Sequence, residues 1–393
     1  MGILHCLRLM SVDQLREYAV EWNDLWRRSD VALPTVQAEL LATWIEQFHP
    51  KGQFHAIVVA DQDRWVAAIP MVSCRVARLI PAGGLTTNPW FPCGELLVDA
   101  TANVELAMDL LLAEAAGLPW PLLWFNDMIP ESPRWMALMR ACHRAGVAAC
   151  CHERYRVGRV DINSTWDIYR KNLPKNHRQA MQRAQRRLEN EGDVRFEMRS
   201  RLPIDDVEPW LTDAFQLEDR SWKGNAGSSV LSTPGMFPFF VRQTEHLAAL
   251  GQFEAASLRL DDRLLAFVYG FRAKGTYFAH KISYDPEFSA FSPGQLLFHH
   301  IFERLHSEGD VRVLDFMGPQ TQATTRWRPK TYGVGRLAIA PRGGVGHALM
   351  YAYQHGWLAL RNRTARAESR KHSGNASPEV DDLPAFEPAG TAG

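Results

Sequence analysis

Apolar and polar positions along this chain follow two periods, and the switches between them mark the elements. Thr276–Tyr284 is rich in β-branched and aromatic residues, as a buried strand requires. Asp285-Pro286 closes it, because proline cannot donate to a ladder. Leu296, Leu297, Ile301 and Leu305 then recur at helical spacing, and Gly309 ends that run before a second apolar strand, VRVLDFM. At the head of the helix stands Ser292-Pro293-Gly294. Ser292 is placed to cap, Pro293 suits the first helical position, and Gly294 leaves the backbone open to a ligand. Unpaired N–H groups of a first turn favour an anion, so this junction is a candidate phosphate cradle. Turn geometry alone would also account for the Ser, Pro and Gly.

The rest of the chain alternates helix and strand. Helical patterns at Val12–Ser29 and Gln37–Gln47 precede a hairpin, FHAIVVA and WVAAIPMVSC around Asp61–Arg64. Next come a helix over Val104–Ala116, a strand at Leu122–Asn126, a helix at Pro133–Ala145 and a strand at Ala148–Val157. The second half opens with a basic helix, Lys175–Glu191, and helices at Asp205–Leu217 and Phe239–Leu250. Its hairpin, FEAASLRL and LLAFVYGFR, resembles the first: Phe-x-Ala, an Asp-rich tip ending in Arg, then an apolar run. We read a duplicated fold with an N-terminal half over 1–158 and a C-terminal half over 159–345. Only the second half has the Ser-Pro-Gly-Gln junction, so the chemistry is expected there. From about Arg361 the chain is polar and aperiodic, which predicts a disordered tail over 361–393.

Composition narrows the partners. Lys+Arg 44 balance Asp+Glu 44, which argues against a generic nucleic-acid binder. The six cysteines show no metal-ligand spacing and no secretory signal precedes them, so a cytoplasmic protein without metal is expected. No apolar run reaches bilayer-spanning length, so no integral membrane span is expected.

A resemblance rests on several motifs in order: Trp166–Tyr169, the helix NLPKNHRQAMQRAQRRLENEGDVRFE, DRSWKG, GQFEAASLRLDDRLLAFVYGF, YFAHKISYDPEFSAFSPGQLL and LDFMGPQ. Together they resemble the GNAT-superfamily acetyltransferases linked to bacterial cellulose and exopolysaccharide biosynthesis, relatives of the FemAB-like peptidyl transferases. The resemblance covers about Val31 to Ala340. It implies an α/β fold of tandem GNAT-like domains, with mixed, mainly antiparallel sheets, a splayed strand pair and flanking helices. It also implies acyl-CoA (acetyl-CoA) as co-substrate, held by Phe291, Ser292, Gly294, Gln295 and Leu296. One departure stands after DFMG: the family often shows Tyr-Lys before an aromatic residue, whereas this chain has Ala323-Thr324-Thr325-Arg326-Trp327. Arg326 or Lys330 would then carry that lysine's charge, or the acceptor site differs.

Acyl transfer to an amine needs a base, donors for the developing oxyanion and an acid for the leaving thiolate. Asp315 interrupts an otherwise apolar strand and is the candidate base, with pairing to Arg312 or loop capping as the structural alternative. Lys281 interrupts its strand similarly and could pair with Asp315. Tyr284 is the candidate thiolate acid, against a plain core tyrosine. Trp222 and Lys223 match a family position that would line the acceptor cleft; Glu218 and Asp219 are alternative bases. Arg183 and Arg187 flank the basic helix, which would hold a polyanionic acceptor or form a solvated face. The expected reaction is transfer to an envelope or exopolysaccharide precursor. A FemAB-like enzyme using aminoacyl-tRNA and a non-catalytic accessory protein are the alternatives.

Overall fold

The computed structural model describes residues 4–200 and 202–353, so the tail expected over 361–393 lies outside the described residues. The chain forms two compact units. The first takes residues up to Asp30, Trp44–Arg154 and the chain from Val334; the second takes Val31–Thr43 and Tyr155–Gly333. The units are thus interleaved along the chain, where hydrophobic patterning suggested two contiguous halves.

Unit 1 contains β1 (Leu4–Leu9), α1 (Val12–Glu17), α2 (Ala19–Arg28), part of α3 (Ala38–Phe48), β2 (Phe54–Asp61), β3 (Arg64–Val76), β4 (Ile80–Leu85), β5 (Leu97–Val98), α4 (Val104–Ala115), β6 (Leu122–Met128) and α5 (Pro133–Arg144). The single helix expected over Val12–Ser29 is broken at Tyr18, whose ψ of 25° leaves the helical range while its ring lies 5.7 Å from that of Trp65. β7 (Ala148–Asp161) carries the chain into unit 2. There follow α6 (Trp166–Asn172), α7 (Lys175–Glu189), β8 (Val194–Arg199), α8 (Ile204–Asp219), α9 (Trp222–Asn225), α10 (Met236–Ala249), β9 (Phe253–Leu260), β10 (Arg263–Ala273), β11 (Thr276–Tyr284), α11 (Pro293–Glu308), β12 (Val313–Pro319) and α12 (Gln322–Thr325). β13 (Lys330–Ala340) returns the chain to unit 1.

The two units share one strand logic. Unit 1 orders its strands β1-β2-β3-β4-β6-β13, and unit 2 orders them β8-β9-β10-β11-β12-β7. In each, a run of antiparallel strands ends in a short parallel pair, with a helix between its members in the chain. In unit 1 that pair is β4 with β6, from Ala82↔Leu122 to Gly84↔Trp124. In unit 2 it is β11 with β12, from Thr276↔Val313 to Phe278↔Asp315. The two hairpins that resemble each other in sequence, β2/β3 and β9/β10, occupy equivalent places in the two orders.

The core of unit 2 explains why α11 sits where it does. Leu296, Leu297, Phe298, Ile301, Phe302 and Leu305 are all buried, against Ala256, Leu258, Ala266 and Val268 of the sheet. Each such side chain contributes roughly 1.5–3 kcal/mol on leaving water. Proline at the first turn and Gly309 in the left-handed region (φ 77°) bound the helix as patterning predicts.

The sheet is not regular: β10 and β11 shift register between Tyr269 and Gly270. Gly270 has no room for a side chain there. A Cβ would stand 2.8 Å from the Tyr277 hydroxyl and 2.9 Å from the carbonyl oxygens of Glu254 and Phe278. Gly270→Val should therefore lower stability by roughly 1–3 kcal/mol, the usual cost of overpacking. Thermal melts of the two proteins check this; coincident melts would show that the strands part without cost.

Candidate active site

β11 is the axis of the site. Its pairing with β12 stops at Phe278↔Asp315, yet β11 continues to Tyr284 and β12 to Pro319. Beyond that point the facing edges lose each other's backbone partners, and α11 begins from the loop that leaves β11. This is the splay that the resemblance implied.

At the loop, Ser292 differs from expectation. It occupies the N-cap position but has φ 52° and ψ 49°, and its side chain makes no capping bond. Without extended backbone its side chain cannot reach the first-turn amides, whereas Asp285, also before a proline, is extended and does cap. A non-glycine residue held left-handed is strained, and such strain concentrates at ligand clamps. The Ser292 carbonyl instead accepts from Gln295 N (3.0 Å) and Leu296 N (3.1 Å). Pro293 has no N–H, so Gly294 offers the first amide outside the helical ladder. A Cβ on Gly294 would lie 3.6 Å from Tyr284 Cδ1, an ordinary contact. Tyr284 thus stands beside the helix start, half exposed, and is no core tyrosine. Phe291 closes the other side under Arg187, whose guanidinium carbon lies 4.9 Å from the ring centroid and whose Nη1 donates to Ala290 O at 3.4 Å. Gln295 Nε2 donates to Ala323 O at 3.4 Å, while its Oε1 is buried without a partner.

The departure after DFMG has a structural account. Thr321 and Thr324 form a capping box around the one-turn helix α12, and Thr325 Oγ1 donates to Thr321 O at 2.7 Å. Lys330 is engaged with Asp161 at 2.5 Å, whereas Arg326 is exposed. Of the two candidates for the missing lysine's charge, both exposed, Arg326 is the one in no ion pair among the described residues. Arg183 is exposed on α7.

Lys281 does not pair with Asp315. Its Nζ lies 3.2 Å from Glu218 Oε1, which Lys223 Nζ also approaches at 2.8 Å. Val230 N donates to the other Glu218 oxygen at 3.1 Å, and Lys223 reaches Ile282 O at 3.4 Å. Asp315 faces Phe278, three residues before Lys281, at the point where the strands separate; the lysine therefore turns to α8 and α9. Burial alone would push the fully buried Glu218 carboxyl up, but the Lys281 and Lys223 ammoniums outweigh it and hold it below its ordinary value. Burial lowers Lys281, against the pull of Glu218. The DRSWKG stretch is tight: a Cβ on Gly224 would stand 1.7 Å from Asp219 O, so only glycine fits. Trp222, beside this cluster, is 71% exposed, an unusual position for a ring of that size. Asp219 bonds the Ser229 hydroxyl.

Asp315 is buried at the apex of the splay. Its Oδ1 accepts from Met317 N (2.7 Å) and its Oδ2 from the Tyr332 hydroxyl (2.8 Å). Burial pushes its carboxyl up to about 6, moderated by the Met317 and Tyr332 hydrogen bonds and by Arg159 on the neighbouring strand. Met317 itself is left-handed, φ 57°, where β12 slips against β7. Tyr332 was not a candidate by sequence; a lone tyrosine on a mixed strand carries no signal until Asp315 is opposite it. Among the described residues no group of three His, Cys, Asp or Glu side chains could hold a metal ion, and no helix is long and apolar enough to cross a membrane.

Unit 2 thus combines a strand splay, a helix start in the gap and a buried carboxylate at its apex. Residues 175–327 match the family model described as the acetyltransferase (GNAT) domain. Solved structures share the fold across both units. The crystal structure of FemX aligns at TM-score 0.57 with 11% identity, over 88% of this chain and 99% of its own. A protein of unknown function from Bacteroides thetaiotaomicron aligns at 0.52 with 12% identity, over 86% and 100%. The C-terminal domain of a lysylphosphatidylglycerol synthetase from Agrobacterium fabrum aligns at 0.50 with 16% identity, over 86% and 97%. No curated protein matches the sequence.

The Glu218 cluster yields a test. Glu218→Gln would leave two ammoniums sharing a buried site without an anion, a loss of about 3–5 kcal/mol. Because the folded carboxyl sits below its unfolded value, its contribution is full above that value and is lost as pH falls. The gap in melting temperature between wild type and Glu218→Gln should therefore shrink with acidification, and Lys281→Met should restore part of the loss at neutral pH.

Proposed function

We propose that unit 2 is an N-acyltransferase that moves an acyl group from acyl-CoA to an amine on an envelope or exopolysaccharide precursor. The observation that carries this reading is the parting of β11 from β12 at Asp315, with the Pro293-Gly294 helix start beside it. The residues fit the co-substrate: the open face of Gly294, its free amide and the nearby Arg187 suit a pyrophosphate. Acyl-CoA supplies the activated acyl group. Asp315, with its carboxyl raised to about 6, is ionised at neutral pH yet basic enough to take an amine proton. Tyr332 and Met317 N orient it. Tyr284 stands at the cradle, where a phenol can protonate a leaving thiolate. Lys223, Lys281 and the exposed Trp222 offer a cationic, aromatic wall for the acceptor. Arg183 and Arg326 extend the positive surface towards a phosphorylated acceptor.

Gly294→Val tests the cradle. Acetyl-CoA affinity should fall at least about tenfold, since a branched side chain would crowd the anion's approach, while the melt stays near wild type. Calorimetric titration with acetyl-CoA and, separately, with charged tRNA reads this directly; tight binding of charged tRNA alone would replace the donor.

Asp315→Asn keeps the shape and removes the base. Single-turnover acyl transfer should slow by roughly two to four orders of magnitude. The acidic limb of the pH–rate profile, near the value of about 6 set by burial, should vanish with it. Near-normal turnover in the Asn protein would end the assignment of Asp315 as base.

A further inference from the structure

A cleft of about 670 Å³ lies along α7, between it and residues of α6 and α11. It shares no lining residue with the Ser292–Gln295 helix start. Arg170, Lys175, Arg178 and Arg186 line it, and Glu189 is its one lining carboxylate. Arg170 pairs with Asp167 at 3.3 Å, but among the described residues Lys175, Arg178 and Arg186 are in no ion pair. Three unpaired guanidinium or ammonium groups are therefore gathered around a single lining carboxylate, a net positive charge.

A second observation points to a ligand independently. His177 also lines the cleft; it is only 6% exposed, and neither of its ring nitrogens has a hydrogen-bond partner. Buried polar atoms are rarely left unpaired, because an unmade bond costs their full desolvation. Burial first, then the charge of Arg326, lowers its pKa, so the ring is neutral with one N–H to donate. The N-terminus of α7 lies here too, with no side-chain cap: its N-cap is Pro174, and Lys175, Asn176 and His177 are its first turn. Their amides add a partial positive charge.

We propose that this cleft is a second anion site, which takes a phosphate ester of about nucleoside-diphosphate size. The volume falls within the range of small-molecule pockets, and two arginines with a lysine and helix amides match phosphate oxygens. No Phe, Tyr or Trp side chain lines the cleft to stack bases, which favours a small ligand over an RNA strand. The site differs from the exposed Arg183 surface, and it stands whether or not acyl-CoA is the donor.

The test is binding of inorganic pyrophosphate, ADP and a single-stranded RNA oligonucleotide to the full chain, by calorimetry at fixed salt. Three variants are compared with wild type: Arg178→Ala with Arg186→Ala, Lys175→Ala, and Gly294→Val. Pyrophosphate and ADP should bind Gly294→Val through the cleft, and the arginine double variant should lose that event by at least about tenfold. Lys175→Ala should weaken it less, in the same direction. Acetyl-CoA affinity and melting temperature should not move in the cleft variants. Unchanged pyrophosphate affinity in a well-folded double variant overturns the site. An RNA oligonucleotide that binds more tightly than ADP, and loses affinity in the same variant, overturns the small-ligand assignment. Loss of acetyl-CoA binding in wild type, with cleft binding intact, would remove the donor reading alone.

Discussion

β11 and β12 pair over three residue couples and then part, and the chemistry proposed for unit 2 depends on that parting. A parallel pair that ran on would bury its backbone groups against each other and close the space before α11. Instead the edges separate at Phe278↔Asp315, where β12 bends through the left-handed Met317 and slips against β7. The bend is held by Asp315 itself, whose Oδ1 accepts the Met317 amide. One carboxylate thus braces the turn with one oxygen and meets Tyr332 with the other.

Two buried carboxylates in the same unit have opposite fates. Glu218 is surrounded by Lys223, Lys281 and the Val230 amide, and is held ionised. Asp315 has no ammonium against it, and burial raises it to about 6. Environments that drive two acids apart separate structural from proton-transferring roles. Glu218 therefore organises the DRSWKG segment against β11, while burial holds Asp315 at about 6 at the splay and Glu254, beside Arg272, at about 7.

Unit 1 shows what the same topology looks like without the cradle. Its parallel pair is equally short, but Asn103 caps α4 by accepting from Leu106 N, and Glu105 fills the first turn. Arg140 and Arg144 bind Glu105 in turn. An anion approaching that helix start would meet a carboxylate.

Much of this was legible in consecutive residues. Strand and helix periods, proline at a first turn, glycine at a helix end and the two similar hairpins depend only on neighbours, and they place β9 to β12 and α11 close to where they stand. The odd polar residues of apolar strands, Asp315 and Lys281, were visible for the same reason. Their partners were not: Lys281 meets Glu218 across 63 positions and Asp315 meets Tyr332 across 17, so strand register and a bulge decide the pairing. Ser292 shows the limit even locally: like Asp285 it precedes a proline, yet Asp285 is extended and caps while Ser292 is left-handed and does not. The interleaving of the units, with β7 and β13 carrying the chain between them, likewise left no mark on periodicity. A strand's pattern records which face is buried, while its neighbour is chosen by the hydrogen bonds of a folded sheet.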